Sequence, residues 1–176
     1  VEKIKLKDID EYEFNLEFFN NSLKDYLLSD GKNYRIRNSV KTRFIRQYGI
    51  NAYKDFYNYL FKVINNDGYK LAYHDFHIFW EHRAALYERI KFVASKYNAQ
   101  QALNTLIERY SSIVNASNAI RLKYMKSVIK SNPRGNQYSQ IRDKAVLRDL
   151  ALKINNVLEA EQEILTSVLS ICKSII

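Results

Sequence analysis

Only four glycines and one proline occur in 176 residues, and that scarcity constrains the fold more than any other feature. A sheet protein needs a turn roughly every 8 to 12 residues, and tight turns draw on glycine and proline. Long helices joined by few loops need neither. The hydrophobic share of 47% and the charged share of 27% exclude a disordered tail. A chain of this length buries about 70% of its unfolded surface around one core. The expectation is therefore an all-α fold, a single helical bundle of five to six amphipathic helices forming one domain over residues 1–176.

Periodicity places the elements. Ile9, Tyr12, Leu16, Phe19, Leu23 and Tyr26 recur in steps of three and four, which predicts a first helix over 9–28 with Asp8 and Glu11 as its capping pair. A second helix is predicted over 35–48, closed by Gly49. A third runs over 52–64 with Asn51 as its cap and Tyr53, Phe56, Tyr57, Leu60 and Ile64 facing inward, stopped by Asn65-Asn66-Asp67-Gly68. The next covers 69–97, with Phe76, Trp80, Leu86, Ile90 and Val93 among its apolar residues. Residues 99–130 follow without glycine or proline; Asn115-Ala116-Ser117-Asn118 is their weakest point, because short polar side chains compete for backbone hydrogen bonds.

Residues 131–139, with Pro133 and Gly135, read as a loop. After it, Leu147, Leu150, Ile154, Val157, Ile164, Val168, Ile171 and Ile175 form one stripe that only Glu161 interrupts. A helix over 140–174 is about 50 Å long at 1.5 Å per residue, against about 30 to 35 Å for a bundle of ordinary helices. The surplus stripe, Ile164, Val168, Ile171, Cys172 and Ile175, predicts a homo-oligomer joined through the C-terminal helix. The alternative is a helix that bends near Asn155-Asn156 and folds back.

The charge is clustered. From Gly31 to Lys54 stand Lys32, Arg35, Arg37, Lys41, Arg43, Arg46 and Lys54 with no acid; from Arg109 to Arg142 stand Arg109, Arg121, Lys123, Lys126, Lys130, Arg134 and Arg142, again with no acid. The two windows hold 14 of the 28 basic residues, so the rest of the chain is net acidic although the whole is +9. The abundance of Lys, Asn, Ile and Tyr matches the drift of an AT-rich genome, but drift alone does not clear two windows of Asp and Glu. Basic clusters suit a polyanion, since each neutralised phosphate releases a counterion. Tyr34, Tyr48, Tyr124 and Tyr138 lie in the windows and offer rings for stacking. Candidate nucleic-acid contacts are Lys32, Arg35, Arg37, Lys41, Arg43, Arg46, Arg121, Lys123, Lys126, Lys130 and Arg134, with DNA and RNA both open. An acidic protein partner, or a face that is merely solvated, produces the same clustering.

Chemistry-bearing patterns are sparse. His74, His77 and Glu81 fall at helical spacing, but no His-Glu-x-x-His pattern accompanies them, so no metal or cofactor is expected. Gly-rich phosphate loops and nucleophile elbows do not occur, Glu159 and Glu163 sit where solvent exposure is the default, and nothing argues for an enzyme. The lone Cys172 reads as a small buried hydrophobe. No apolar run approaches the ~18 residues of a membrane span, and residues 1–10 carry mixed charge, so an intracellular protein, cytoplasmic or within a nucleoprotein particle, is expected.

Arg37-Asn38-Ser39-Val40-Lys41-Thr42-Arg43-Phe44 resembles the helix that opens with Arg-Asp-Ser-Val and reaches Arg-Phe in the helical substrate-binding proteins that accompany minimal nucleotidyltransferases. The acids that follow in that family are replaced by Ile45 and Gly49, and the Arg-x4-His element of its ribonuclease relatives is absent. The leading expectation is a non-enzymatic nucleic-acid-binding structural protein, a repeated packaging or nucleocapsid-like subunit. A helical module that docks an acidic protein on its basic face is the second reading, and a small ribonuclease-like or nucleotidyltransferase-partner protein the third.

Overall fold

The computed structural model describes residues 14–29, 48–66, 69–131 and 143–175. Those residues form five helices and no strand: α1 (Leu16–Leu28), α2 (Gly49–Asn65), α3 (Tyr73–Lys96), α4 (Gln100–Ser131) and α5 (Lys144–Ser174). The all-α expectation holds at that level. The helix predicted over 35–48 lies outside the described residues, as do Asp8, Glu11 and the loop beyond Ser131.

Boundaries move where capping groups decide them. The first helix begins at Leu16, later than its apolar period suggested, because Asn15 is extended and its Oδ1 accepts the Phe18 N–H at 2.8 Å. Gly49 opens α2. Asn51 is not the cap: Tyr48 holds that position, and the Asn51 N–H donates to the Ser29 hydroxyl at 3.0 Å. The fourth predicted helix starts at Tyr73, four residues late, since Asp75 turns its carboxylate back to the Ala72 N–H at 3.2 Å. The preceding segment is held extended by two tyrosines: Tyr59 donates to the Lys70 carbonyl and Tyr124 to that of Leu71.

The turn from α3 to α4 uses Asn98 at φ 53°, with the Ala99 N–H reaching the Ala94 carbonyl at 2.9 Å. This is the left-handed helix end that Asn tolerates better than most residues. The suspected break at 115–118 does not occur. Ser117 donates its hydroxyl to the Ile113 carbonyl at 2.8 Å, sharing that acceptor with the ladder, and Asn118 accepts from Arg121 Nε at 3.0 Å, so both side chains are satisfied without breaking the helix. Nor does the last helix bend at Asn155-Asn156; Asn155 donates to Glu159 one turn on and α5 continues to Ser174.

Contacts set the topology. Phe76 stacks on Tyr124, Lys123 pairs with Asp149, Asn20 donates to the Cys172 carbonyl, and Tyr53 meets Phe79 and His82. These pairings run in opposite order along each pair of neighbours, so α3, α4 and α5 alternate in direction. The α1 and α2 helices run one after the other in the same direction alongside α5. At 1.5 Å per residue their 13 and 17 residues give about 45 Å together, against about 46 Å for the 31 of α5 and about 48 Å for the 32 of α4.

This tandem arrangement overturns the expectation of a surplus apolar stripe. Ile164, Val168 and Cys172 are buried in the chain's own core, and Ile171 and Ile175 are half-buried against it. The core is continuous through Leu16, Phe19 and Leu23 of α1, Leu60 and Ile64 of α2, Phe76, Phe79 and Ile90 of α3, Leu103, Ile113 and Ile120 of α4, and the stripe of α5. Trp80, assigned to the apolar face by period, is half-buried, and Phe79 takes the interior place.

The junction between α1 and α2 is tight. Gly49 has φ +58°, and a Cβ there would stand 2.3 Å from the Tyr26 carbonyl oxygen. Backbone packs on backbone at that point, and no side chain can yield. Gly49→Ala is expected to cost about 2–4 kcal/mol, combining left-handed strain with the clash, and a urea titration followed by circular dichroism measures it.

Candidate functional site

The interruption of the C-terminal stripe is the electrostatic centre of the fold. Glu161 and Arg83 are both fully buried and joined at 2.5 Å between Arg83 Nη2 and Glu161 Oε2. The Tyr26 hydroxyl donates to the same oxygen at 3.0 Å, and the Tyr110 hydroxyl donates to Oε1 at 2.7 Å. Arg83 Nη1 donates to the Phe79 carbonyl at 2.6 Å. The guanidinium lies 3.7 Å from the Phe79 ring centre and 4.6 Å from that of Tyr53. Each long element therefore contributes: α1 through Tyr26, α2 through Tyr53, α3 through Arg83, α4 through Tyr110 and α5 through Glu161.

Protonation follows from the surroundings. Burial disfavours the Arg83 charge most strongly of any single influence, but Glu161 together with Tyr26, Tyr110 and Tyr53 more than offsets it and raises the guanidinium pKa above its ordinary value. Burial, reinforced by Glu161, pushes the Tyr26 and Tyr110 hydroxyls well above the ordinary tyrosine range, so both remain donors. Glu161 accepts three hydrogen bonds, two at Oε2 and one at Oε1, and is shielded from solvent. The arrangement ties α1, α3, α4 and α5 together in one register.

Two grooves flank this centre. One, of about 860 Å³, lies between α1 and α3 and is walled by Phe14, Phe18, Phe19, Leu86 and Phe92, with Tyr26 and His82 at its inner end. The other, of about 590 Å³, runs between α4 and α5 over Ile113, Ile120, Val157 and Ile164, with Arg109, Lys123 and Lys153 on its rim.

The sequence-predicted contacts separate into three groups. Lys32, Arg35, Arg37, Lys41, Arg43, Arg46 and Arg134 lie outside the described residues. Arg121 and Lys123 are engaged. Arg121 lies 4.1 Å over the Trp80 ring, donates to Asn118 and reaches His77 Nδ1 at 3.2 Å; Lys123 pairs with Asp149 at 2.7 Å. Lys126 and Lys130 are exposed and pair with no carboxylate among the described residues. The acid-free window of α4 is thus partly neutralised across helices, since Glu163 also takes Arg109 at 2.8 Å.

His77 accepts from Arg121 and places Nε2 3.0 Å from Glu81, so its ring bridges two side chains. Among the described residues no group of three His, Cys, Asp or Glu side chains is placed to hold a metal ion. No helix among them is long and apolar enough to cross a membrane. Sequence reasoning missed Arg83, although it falls in register with Phe76, Phe79, Leu86 and Ile90; a cation inside one apolar series and a carboxylate inside another were the available signal.

Comparison with protein-family models, with curated proteins and with solved structures finds no match.

Removing the charge of Glu161 with Glu161→Gln strands a buried guanidinium and is expected to cost about 3–5 kcal/mol in urea unfolding. Replacing both ions, Arg83→Met with Glu161→Leu, is expected to cost less than the single change, because no charge is left unpaired. His82 generates a pH dependence. Burial lowers its folded pKa below the ordinary 6.5. The unfolded chain then binds the proton first, so stability falls as pH drops below about 6.5 towards the depressed value. Urea midpoints between pH 7.5 and 5.5 are expected to fall, and His82→Gln to flatten that part of the slope.

Proposed function

We propose that this chain is a non-enzymatic helical protein that binds a polyanion, nucleic acid above all, at the end of the bundle where α4 finishes and α5 begins. One observation carries the reading. The last turns of α4 and the first of α5 bring together Arg121, Lys123, Lys126, Lys130, Lys144, Arg148 and Lys153 against only Asp143 and Asp149. Asp149 serves Lys123 and Lys153 at once, at 2.7 and 3.0 Å, and Lys126, Lys130, Lys144 and Arg148 are exposed without a carboxylate partner among the described residues.

Lys144 adds to the argument. It opens α5, where the helix dipole is positive and a cation is mildly unfavourable. A cation held against the dipole, beside three unpaired neighbours, gains from an external anion. Uncompensated charge of this kind raises local anion concentration and speeds encounter with a polyanion.

The apolar stripe from which self-association was expected is buried within the chain, so it lends a repeated packaging role no support. Docking of an acidic protein is the second reading, favoured by the groove between α4 and α5 with cations on its rim. Salt separates the two, because a phosphate contact is weakened by salt more steeply than an interface with an apolar centre.

Affinity for a labelled oligonucleotide, measured from about 50 to 200 mM salt, is expected to fall steeply. Lys126→Glu, Lys130→Glu and Arg148→Glu together are expected to reduce the logarithmic salt slope by about 2 to 3 while leaving the helical circular dichroism unchanged. Binding that is absent, or that the triple variant leaves intact, refutes the assignment of this surface.

A further inference from the structure

A row of planar side chains lies on the face of α3 that does not enter the core. Tyr73, His77 and Trp80 stand at i, i+4 and i+7, which puts them on one stripe. The Tyr73 and His77 rings are 5.9 Å apart between centres, His77 and Trp80 are 5.6 Å apart, and His74 lies 4.6 Å from Tyr73. The Arg121 guanidinium extends the row from α4, 4.1 Å over Trp80. The inner face is already supplied by Phe76 and Phe79, so packing does not require these rings. Tyr73 is 41% exposed, and Trp80 is half-buried.

On α4 the row is followed by apolar surface and then by charge. Leu122 and Ile129 are 41% and 63% exposed, on the outward side of the helix, beyond Arg121. Lys126 and Lys130 lie past them around α4 by helical spacing. Rings, exposed apolar side chains and unpaired cations therefore follow one another around a single helix.

We infer that this face is a stacking surface for single-stranded nucleic acid, with unpaired bases on Tyr73 and Trp80 and the backbone carried towards Lys126 and Lys130. The inference rests on the polyanion reading above and narrows it. A duplex presents phosphates outward and keeps its base faces stacked inside, so it has no use for the rings. Single strands expose both, and stacking on aromatic side chains tolerates any base.

Trp80 is the only tryptophan, so its fluorescence reports directly on the row. Titration of the full chain with a short oligothymidylate is expected to quench it, while a blunt duplex of equal length at the same salt binds more weakly. Tyr73→Ala is expected to lower single-strand affinity about tenfold, with the salt slope and the duplex affinity unchanged. Trp80→Phe, which keeps a ring, is expected to retain most of the affinity, and Trp80→Ala to lose it. Duplex binding as tight as single-strand binding, with Tyr73→Ala and Trp80→Ala without effect, overturns the stacking surface and leaves the polyanion reading standing. Loss of salt-dependent binding to both probes overturns the two together.

Discussion

A single buried ion pair disciplines the whole arrangement. Taking Arg83 and Glu161 out of water is expensive, and their attraction repays that only if every remaining donor and acceptor is used well. Glu161 meets the requirement with the hydroxyls of Tyr26 and Tyr110; Arg83 meets it in part, with the Phe79 carbonyl and two aromatic faces, while its Nε is buried without a hydrogen-bond partner among the described residues. An apolar stripe alone permits neighbouring helices to slide by a turn at modest cost. A charge that finds its partner at one position does not. Displacing α5 by one turn moves Glu161 about 5.4 Å along the axis and breaks all three of its hydrogen bonds.

The same point is where the chain economises on length. Two short helices in tandem replace the fourth long one, and their junction falls beside Tyr26. That residue donates its hydroxyl to Glu161 and offers its carbonyl as the floor under Gly49. Ser29, at φ 54°, ends α1 and its hydroxyl oxygen accepts the Asn51 N–H, so the cap of one helix also serves the first turn of the next.

Helical class, the buried faces of α1 and α5 and the place of Cys172 were legible from period and composition, because a stripe that repeats over many turns averages out local exceptions. Leu16, Phe19, Leu23 and Tyr26 are all buried as their spacing implied. What period cannot show is pairing between distant segments. Glu161 reads as a fault in a stripe until Arg83 is seen opposite it, and Trp80 reads as core until Phe79 is seen filling the space. Length failed for a related reason: a helix of about 50 Å looks too long only if its neighbour is assumed to be one helix.

Charge shows the same limit in the other direction. Along the chain, Arg109, Arg121 and Lys123 stand in a stretch without acids, yet folding brings Glu163 to the first, His77 and the Trp80 face to the second and Asp149 to the third. The positive potential of that window is therefore not spread along α4. It is left to the end where Lys126, Lys130, Lys144 and Arg148 are exposed without a carboxylate partner among the described residues. Pairing some cations and sparing others is what turns a basic segment into a basic site.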